Sequence, residues 1–418
     1  MVMMVKDNRF KFYKNEWVKE MNKPIRIKVK PNSVKPFKAG FPLINRDVII
    51  NSDALINEGS IIDLIDEKNQ FLARGYYGKQ NKGIGWVLTR NPNEEIDQRF
   101  FIEKINSAVA YRKSLFDDPE TTSFRVFNGE GDGIGGLTID YFEGYYVTSW
   151  YSEGAYQFKD QIIRALTDVG NVKGIYEKKR FDVKGTYIED DDFVSGERAQ
   201  FPLIVKENGV NFAIYLNDGA MVGVFLDQRD VRKTIRDTYA LGKHVLNTFS
   251  YTGAFSVAAA LGGAAKTTSV DLANRSKAKT IEQFSVNHLD HETQNIIVED
   301  VFNYFKYAVR KKLSFDMVIL DPPSFARSKK HTFSAGKDYP DLLKQAISIT
   351  EKNGVIVASS NCSTFGMNKF KGFIEKAFKE SGKSYKILEE FSLPKDFKTI
   401  KEFKEGNYLK VVFIEKLS

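Results

Sequence analysis

Cys362 is the only cysteine in this 418-residue chain. It follows Val355-Ile356-Val357-Ala358-Ser359-Ser360, an apolar run that reads as a buried strand, so its thiol stands at a strand end. A free cysteine is most often a small buried hydrophobe. A thiol at a strand end has another use. Cytosine C5 is a poor nucleophile until a thiolate adds to C6. C5 can then take a methyl group, and a base removes its proton. Such a cysteine needs a lowered pKa or a neighbouring base. Asp321 follows the apolar strand Met317–Leu320, and Pro322 and Pro323 end that strand and fix the backbone. Asp321 is therefore expected at the same edge as Cys362, placed to hold a base and assist protonation at N3. A base reaches such groups only if unpaired or flipped out.

A donor for that chemistry is suggested by His244 to Asp271, which reads as strand, turn, helix, strand, acid. In an open α/β sheet, ligands sit at the carboxyl ends of the strands, where the first turn meets a helix. A dinucleotide turn would read GxGxxG. Here one glycine, Gly253, stands among Asn247, Thr248, Ser250, Tyr251 and Thr252. One glycine in a polar turn suits a ligand with ribose but no phosphate, such as S-adenosylmethionine. Gly253 is expected to let the backbone approach that ligand closely, and Asp271 to accept from its ribose diol. Asp300, after the short strand Asn295–Val298, is placed to accept from an adenine amino group. Each acid alone reads more simply as a capping or solvated carboxylate. Asp271, Asp300 and Asp321 in order along one edge read as a site.

The chain is long enough for two or three domains, and 42% hydrophobic residues can fill full-sized cores. No apolar run is long enough for a membrane span, and the start, MVMMVKDNRF, lacks a signal-peptide core. One cysteine fits a reducing cytoplasm, and four histidines form no metal-ligand cluster. Residues 1–90 hold 17 Lys and Arg against 9 Asp and Glu, which accounts for the whole net charge of +8. A basic N-terminal module points to a polyanion such as RNA. A solvated basic surface is the simpler alternative.

The expected architecture is α/β. Residues 1–92 form a small PUA-like β domain, residues 93–204 a central α+β domain, and residues 205–418 a Rossmann-like domain. In the first, Pro31, Pro36 and Pro42 punctuate a loop, and Val48–Ile50 reads as a strand. Lys79, Lys82 and Arg90 interleave with Tyr76, Tyr77 and Trp86, a pattern suited to phosphates and exposed bases. The glycines of 128–136 lack a strand-to-helix context and read as turns. Asn208-Gly209 signals a hairpin. Residues 326–341 read as an irregular loop able to close over substrate.

The stretches FLARGYY, NGEGDGIGGLTIDYF, GVFLDQR, NTFSYTGAF, SVDLA, DPPSFARSK and NCS together resemble the ribosomal-RNA large-subunit methyltransferases that carry a PUA domain. The resemblance covers nearly the whole chain. It implies S-adenosylmethionine as cofactor and 23S rRNA, or a large-subunit assembly intermediate, as substrate. It further implies that Phe225, Gln228, Arg229, Tyr251, Gly253, Asp271, Asp300 and Asp321 line the cofactor site and that Cys362 is the nucleophile. Asn361 stands before the cysteine where the family more often has a serine. Two alternatives stay open: methylation of another atom, such as guanine N7, with Cys362 structural, or an RNA-binding assembly factor without turnover. An amino-group methylase would want an aromatic where Ser324 stands. A homodimer is left open.

Overall fold

A computed structural model describes residues 24–51, 55, 57–80, 83–181, 192–327 and 332–418. Residues 1–23 and Lys82 lie outside them, and so do residues 328–331 of the expected loop.

The N-terminal part is a five-stranded sheet of β1 (Ile25–Lys28), β2 (Leu43–Ile44), β3 (Ile61–Ile65), β4 (Phe71–Gln80) and β5 (Gly83–Thr89), in the order β1-β3-β4-β5-β2. Of the prolines expected to mark a loop, Pro31 opens a helix, α1 (Pro31–Ala39), Pro36 lies inside it, and Pro42 follows it outside regular structure. Pro31 is its first residue, where the missing N–H costs nothing. Val48 ends a 3-10 turn rather than starting a strand. Tyr76, Tyr77 and Trp86 are at most 7% exposed, so these aromatics fill cores and offer no open surface to bases, although Trp86 also borders a cavity. Arg90 donates to the carbonyls of Phe37 and Phe41, closing the end of α1. Lys79 stays at the surface.

After α2 (Gln98–Tyr111) comes a second five-stranded sheet: β6 (Ser123–Asn128), β7 (Leu137–Phe142), β8 (Tyr145–Trp150), β9 (Gly174–Lys179) and β10 (Phe193–Gly196). Helix α3 (Lys159–Thr167) carries the parallel crossover from β8 to β9. One continuous aromatic core, including Tyr76, Trp86, Phe101, Phe127 and Trp150, joins this sheet to the first. The hairpin β11 (Leu203–Glu207) and β12 (Val210–Ile214) turns at Asn208 and Gly209, both with positive φ, as that dipeptide allows.

The C-terminal part is a seven-stranded sheet. Its strands are β13 (His244–Thr248), β14 (Lys266–Asp271), β15 (Asn295–Val298), β16 (Phe315–Leu320), β19 (Thr350–Ser360), β20 (Tyr385–Phe391) and β21 (Lys410–Lys416), in the order β15-β14-β13-β16-β19-β21-β20. β21 runs against both its neighbours, and the pairings from β15 to β19 are all parallel. Strands β16 and β19 carry near-continuous apolar runs, and β13 is buried from Val245 to Thr248, as a sheet covered on both faces requires. The covering helices are α4 (Arg229–Thr234), α5 (Ala254–Leu261), α6 (Asn274–Ser285), α7 (Val301–Lys311), α8 (Ala335–Ile349) and α9 (Met367–Glu380). The direction of winding reverses between β13 and β16, and a ligand crevice opens at such a reversal. Register aligns Thr248 with Val270 and Leu320, and Leu320 with Ala358. The acids that follow these strands thus reach one edge. The expected loop 326–341 is instead a short hairpin, β17 (Phe325–Arg327) with β18 (Thr332–Ser334), running into α8.

Candidate functional site

The turn after β13 sets the site. Phe249, Tyr251 and Gly253 all have positive φ, so two non-glycine residues occupy the left-handed region. That strain persists because the turn is tied down, and such ties gather at functional sites. Tyr251 N–H donates to Asp271 Oδ2 at 2.8 Å, and Ala273 N–H donates to Oδ1 at 2.9 Å. Asp271 is fixed this way and keeps further lone pairs for a diol. Asp300 caps α7, accepting from Phe302 N at 2.8 Å and Asn303 N at 3.3 Å through Oδ1. Asp321 Oδ1 accepts from Ser359 Oγ at 2.8 Å and Gln228 Nε2 at 3.2 Å. Burial pushes its carboxyl up to about 6 against those two hydrogen bonds, and the Asp227 charge adds to the rise.

These three acids line one cavity of about 470 Å³, together with Phe225, Gln228 and Tyr251. Its size suits a nucleoside-like ligand. The Phe225 and Tyr251 rings lie 5.4 Å apart over it, and Phe225 is 40% exposed. Phe302, Pro322 and Pro323 add apolar wall between Asp300 and Asp321. Among the described residues Gln228 Oε1 is buried without a hydrogen-bond partner. Three carboxylates, an apolar slot and a buried acceptor suit the cationic, phosphate-free S-adenosylmethionine.

Two expected cofactor residues are elsewhere. Arg229 does not line this cavity: its guanidinium grips Asp396 at 2.6 and 3.1 Å, with both side chains buried. Neighbours on a helix point about 100° apart, so Gln228 reaches Asp321 while Arg229 faces the other way. Asp396 also accepts from Arg125 N–H, and its carbonyl from Arg112, so it joins the central sheet to the C-terminal part. Asp396→Ala should cost about 3–5 kcal/mol by leaving Arg229 buried without its partner; urea denaturation measures it. Gly253 is not at the cavity wall either. A Cβ there would stand 2.5 Å from Thr280 Cγ2, so the missing side chain admits α6, not a ligand. With φ at 78°, Gly253→Ala is expected to cost about 1–3 kcal/mol, read by the same measurement.

Cys362 is 8% exposed and lies just past β19. Its Sγ is 3.1 Å from Thr364 Oγ1, and Lys410 Nζ donates to its carbonyl at 2.7 Å. Burial raises the thiol pKa, but hydrogen bonds from Thr364 and Ser324 and the Lys410 charge outweigh it, and the net shift is downward. Burial pushes Lys410 itself down to about 8.

A second cavity, of about 680 Å³, opens between the central sheet and the C-terminal part. Asn361 and Ser363, which flank Cys362 in the chain, and Ser324, which hydrogen-bonds Asn361, are on its wall, whereas Asp321 is not. Asp321 is thus confined to the first cavity. The carboxyl common to both is Asp227, which accepts from the Tyr408 hydroxyl at 2.9 Å. Gly129, Glu130 and Gly136 line the second cavity, so the glycine-rich stretch 128–136 is more than a set of turns. Sequence reasoning missed Asp227, Ser359 and Tyr408. Only Asp227 had a signal, its place within GVFLDQR.

A family model for S-adenosylmethionine-dependent methyltransferases matches residues 125–409, and one for PUA-like domains matches residues 27–90. The putative ribosomal RNA large subunit methyltransferase YwbD of Bacillus subtilis is 63% identical over 91% of this chain and 96% of its own length. Ribosomal RNA large subunit methyltransferase I of Alteromonas mediterranea is 30% identical over 93% and 98%. Among solved structures, SMU.776, a putative methyltransferase complexed with SAH, superposes with a TM-score of 0.87 at 40% identity. That match covers 94% of this chain and all of the other. A putative methyltransferase from Streptococcus mutans gives 0.85 at 38% identity, with the same coverage.

Proposed function

The chain belongs to the S-adenosylmethionine-dependent methyltransferases, with a PUA-like domain ahead of the catalytic part, and we propose that it methylates cytosine C5 in large-subunit rRNA through a Cys362 adduct. The observation that carries this reading is the chain's lone thiol, acidified by Thr364, Ser324 and Lys410 and set behind the wall of the second cavity. The names of its relatives support 23S rRNA, or a precursor particle, as the substrate.

The proposed residue roles follow from the geometry. When bound, S-adenosylmethionine supplies an electrophilic methyl group. Asp271 and Asp300 hold the ligand at its ribose and adenine ends, with Phe225, Gln228 and Tyr251 around it. The target nucleotide, flipped from its stack, enters through the second cavity with its base at the junction with the first, toward Asp321. The Cys362 thiolate adds to C6, and Asp321 supplies the proton that N3 takes up. The adduct makes C5 the nucleophile toward the methyl group that S-adenosylmethionine would supply from the first cavity. A base takes the C5 proton, the C6–S bond breaks, and N3 returns its proton. No helix among the described residues is long and apolar enough to cross a membrane, and we place the reaction in the cytoplasm with the ribosome. The basic charge of residues 1–90 supports RNA contact by the N-terminal part, through its basic surface and not its buried rings.

The test is methyl transfer to rRNA from cells lacking this protein, with the product identified by mass. 5-Methylcytidine supports the reading. A second reading draws on the 8% exposure of Cys362: a structural thiol, with methylation of another atom such as guanine N7. 7-Methylguanosine would select it, and tight RNA binding without any transfer would leave a non-catalytic assembly factor.

A further inference from the structure

We infer that Asp227 and Asn361, at the junction of the two cavities, read the Watson–Crick edge of the target cytosine and make the enzyme choose cytosine over uracil. This rests on the function proposed above and assigns base selection, which had been expected of Asp321, to a different carboxyl.

The donor and the target base have to meet where the first cavity opens into the second. Six residues line both: Met221, Val224, Phe225, Asp227, Tyr251 and Asn361. Their types divide the work. Phe225 and Tyr251 offer flat faces for a stacked base, and base–aromatic stacking is indifferent to sequence. Met221 and Val224 are apolar. Selection between pyrimidines, which differ only along one edge, therefore falls to Asp227 and Asn361.

Both are held. Tyr408 donates to Asp227 Oδ2 at 2.9 Å, and among the described residues no other side chain hydrogen-bonds that carboxyl. Ser324 Oγ donates to Asn361 Oδ1 at 2.6 Å, which leaves the amide nitrogen as a donor. The junction thus presents a carboxylate acceptor and an amide donor. Cytosine presents the complement: an N4 amino donor beside the N3 and O2 acceptors. Uracil places an acceptor at position 4, where the carboxylate would repel it and stay unpaired, and sites built for a hydrogen bond reject such mismatches strongly. Asp321 lines only the donor cavity and its Oδ1 already serves Ser359 and Gln228, so its part is the proton exchanged with N3, and the N4 position is left to Asp227.

The test uses the full-length enzyme and transcripts of the mapped target carrying cytidine or uridine at the acceptor position. The wild type should prefer cytidine about a hundredfold or more. Asp227→Asn, which replaces one acceptor oxygen by a donor nitrogen in the same shape, should lose most cytidine transfer and bring the preference to unity or reverse it. Tyr408→Phe frees the carboxyl without removing it; it should lower kcat on cytidine and narrow the preference several-fold, leaving the KM for S-adenosylmethionine unchanged. An undiminished rate and preference in Asp227→Asn overturns the assignment. So does a loss of rate matched by a loss of S-adenosylhomocysteine affinity at constant preference, since Asp227 would then serve only the cofactor. Product mass separates this failure from that of the parent reading. A wild-type product other than 5-methylcytidine removes both, whereas 5-methylcytidine with an unaltered preference in the variants removes only the role of Asp227.

Discussion

Cys362→Ala is expected to lower methyl transfer to rRNA by about a thousandfold or more, which is a barrier increase of roughly 4 kcal/mol. Without the C6 adduct, C5 has no means of becoming nucleophilic, and positioning alone cannot replace it. The fold should tolerate the change, since one buried sulfur is lost and a large-to-small change of that size costs about 1 kcal/mol. Neither cavity is lined by the sulfur, so S-adenosylhomocysteine affinity, measured by calorimetry, should stay within a few-fold of wild type. That combination identifies a nucleophile: chemistry lost, binding and folding kept. A full rate in Cys362→Ala would instead make the thiol a packing residue, as its 8% exposure allows. Lys410→Met supplies a graded control. It removes the charge that helps lower the thiol pKa, so the pH–rate profile should move to higher pH while the rate at high pH is largely retained.

What the sequence made legible is what single strands and turns encode. The run ending at Leu320 and the two prolines after it fixed where Asp321 would stand, and the same holds for Asp271 after β14. Period and punctuation suffice for this, because a parallel strand delivers whatever follows it to one edge. The residues that were misplaced depend on direction or on distance. Gln228 and Arg229 are adjacent in the motif, yet one binds Asp321 and the other Asp396, a difference of helical angle that a motif does not print. Asp227 and Tyr408 are 181 residues apart, and only the reversed strand β21 brings the tyrosine back to the junction. The aromatics of β4 and β5 looked like base contacts because basic residues alternate with them. The Tyr76 and Trp86 rings are buried against the second sheet, a packing partner that local pattern cannot reveal, and Tyr77 fills the N-terminal sheet's own core. Proline spacing alone reads as a loop, yet Pro31 sits at the first position of a helix, where a proline is at home, and Pro36 is carried inside it.

Asp321→Asn should make the protein more stable near neutral pH while abolishing most of its activity. The carboxyl is buried and its pKa stands at about 6 against an ordinary 3.8. Below 3.8 the group is protonated in the folded and unfolded chains alike, so it costs nothing. As pH rises from there, the unfolded chain gives up its proton first and stability falls. Above about 6 the folded protein carries a buried carboxylate at its full cost, about 3 kcal/mol as an upper figure for the two-unit rise. Asparagine keeps the oxygen that accepts from Ser359 and Gln228 but has no proton to lose. The difference in melting temperature between variant and wild type should therefore be near zero at pH 4 and reach a plateau above pH 7, with the variant several degrees higher. Methyl transfer should fall about a hundredfold, because the amide cannot exchange a proton with N3. A variant that melts lower at pH 8 would mean that the ionised carboxylate is well solvated or paired, and its place as the proton reserve would go with that. If the stability gain appears and the activity stays, Asp321 is only a costly anchor for the cofactor, and the proton for N3 has to come from Asp227.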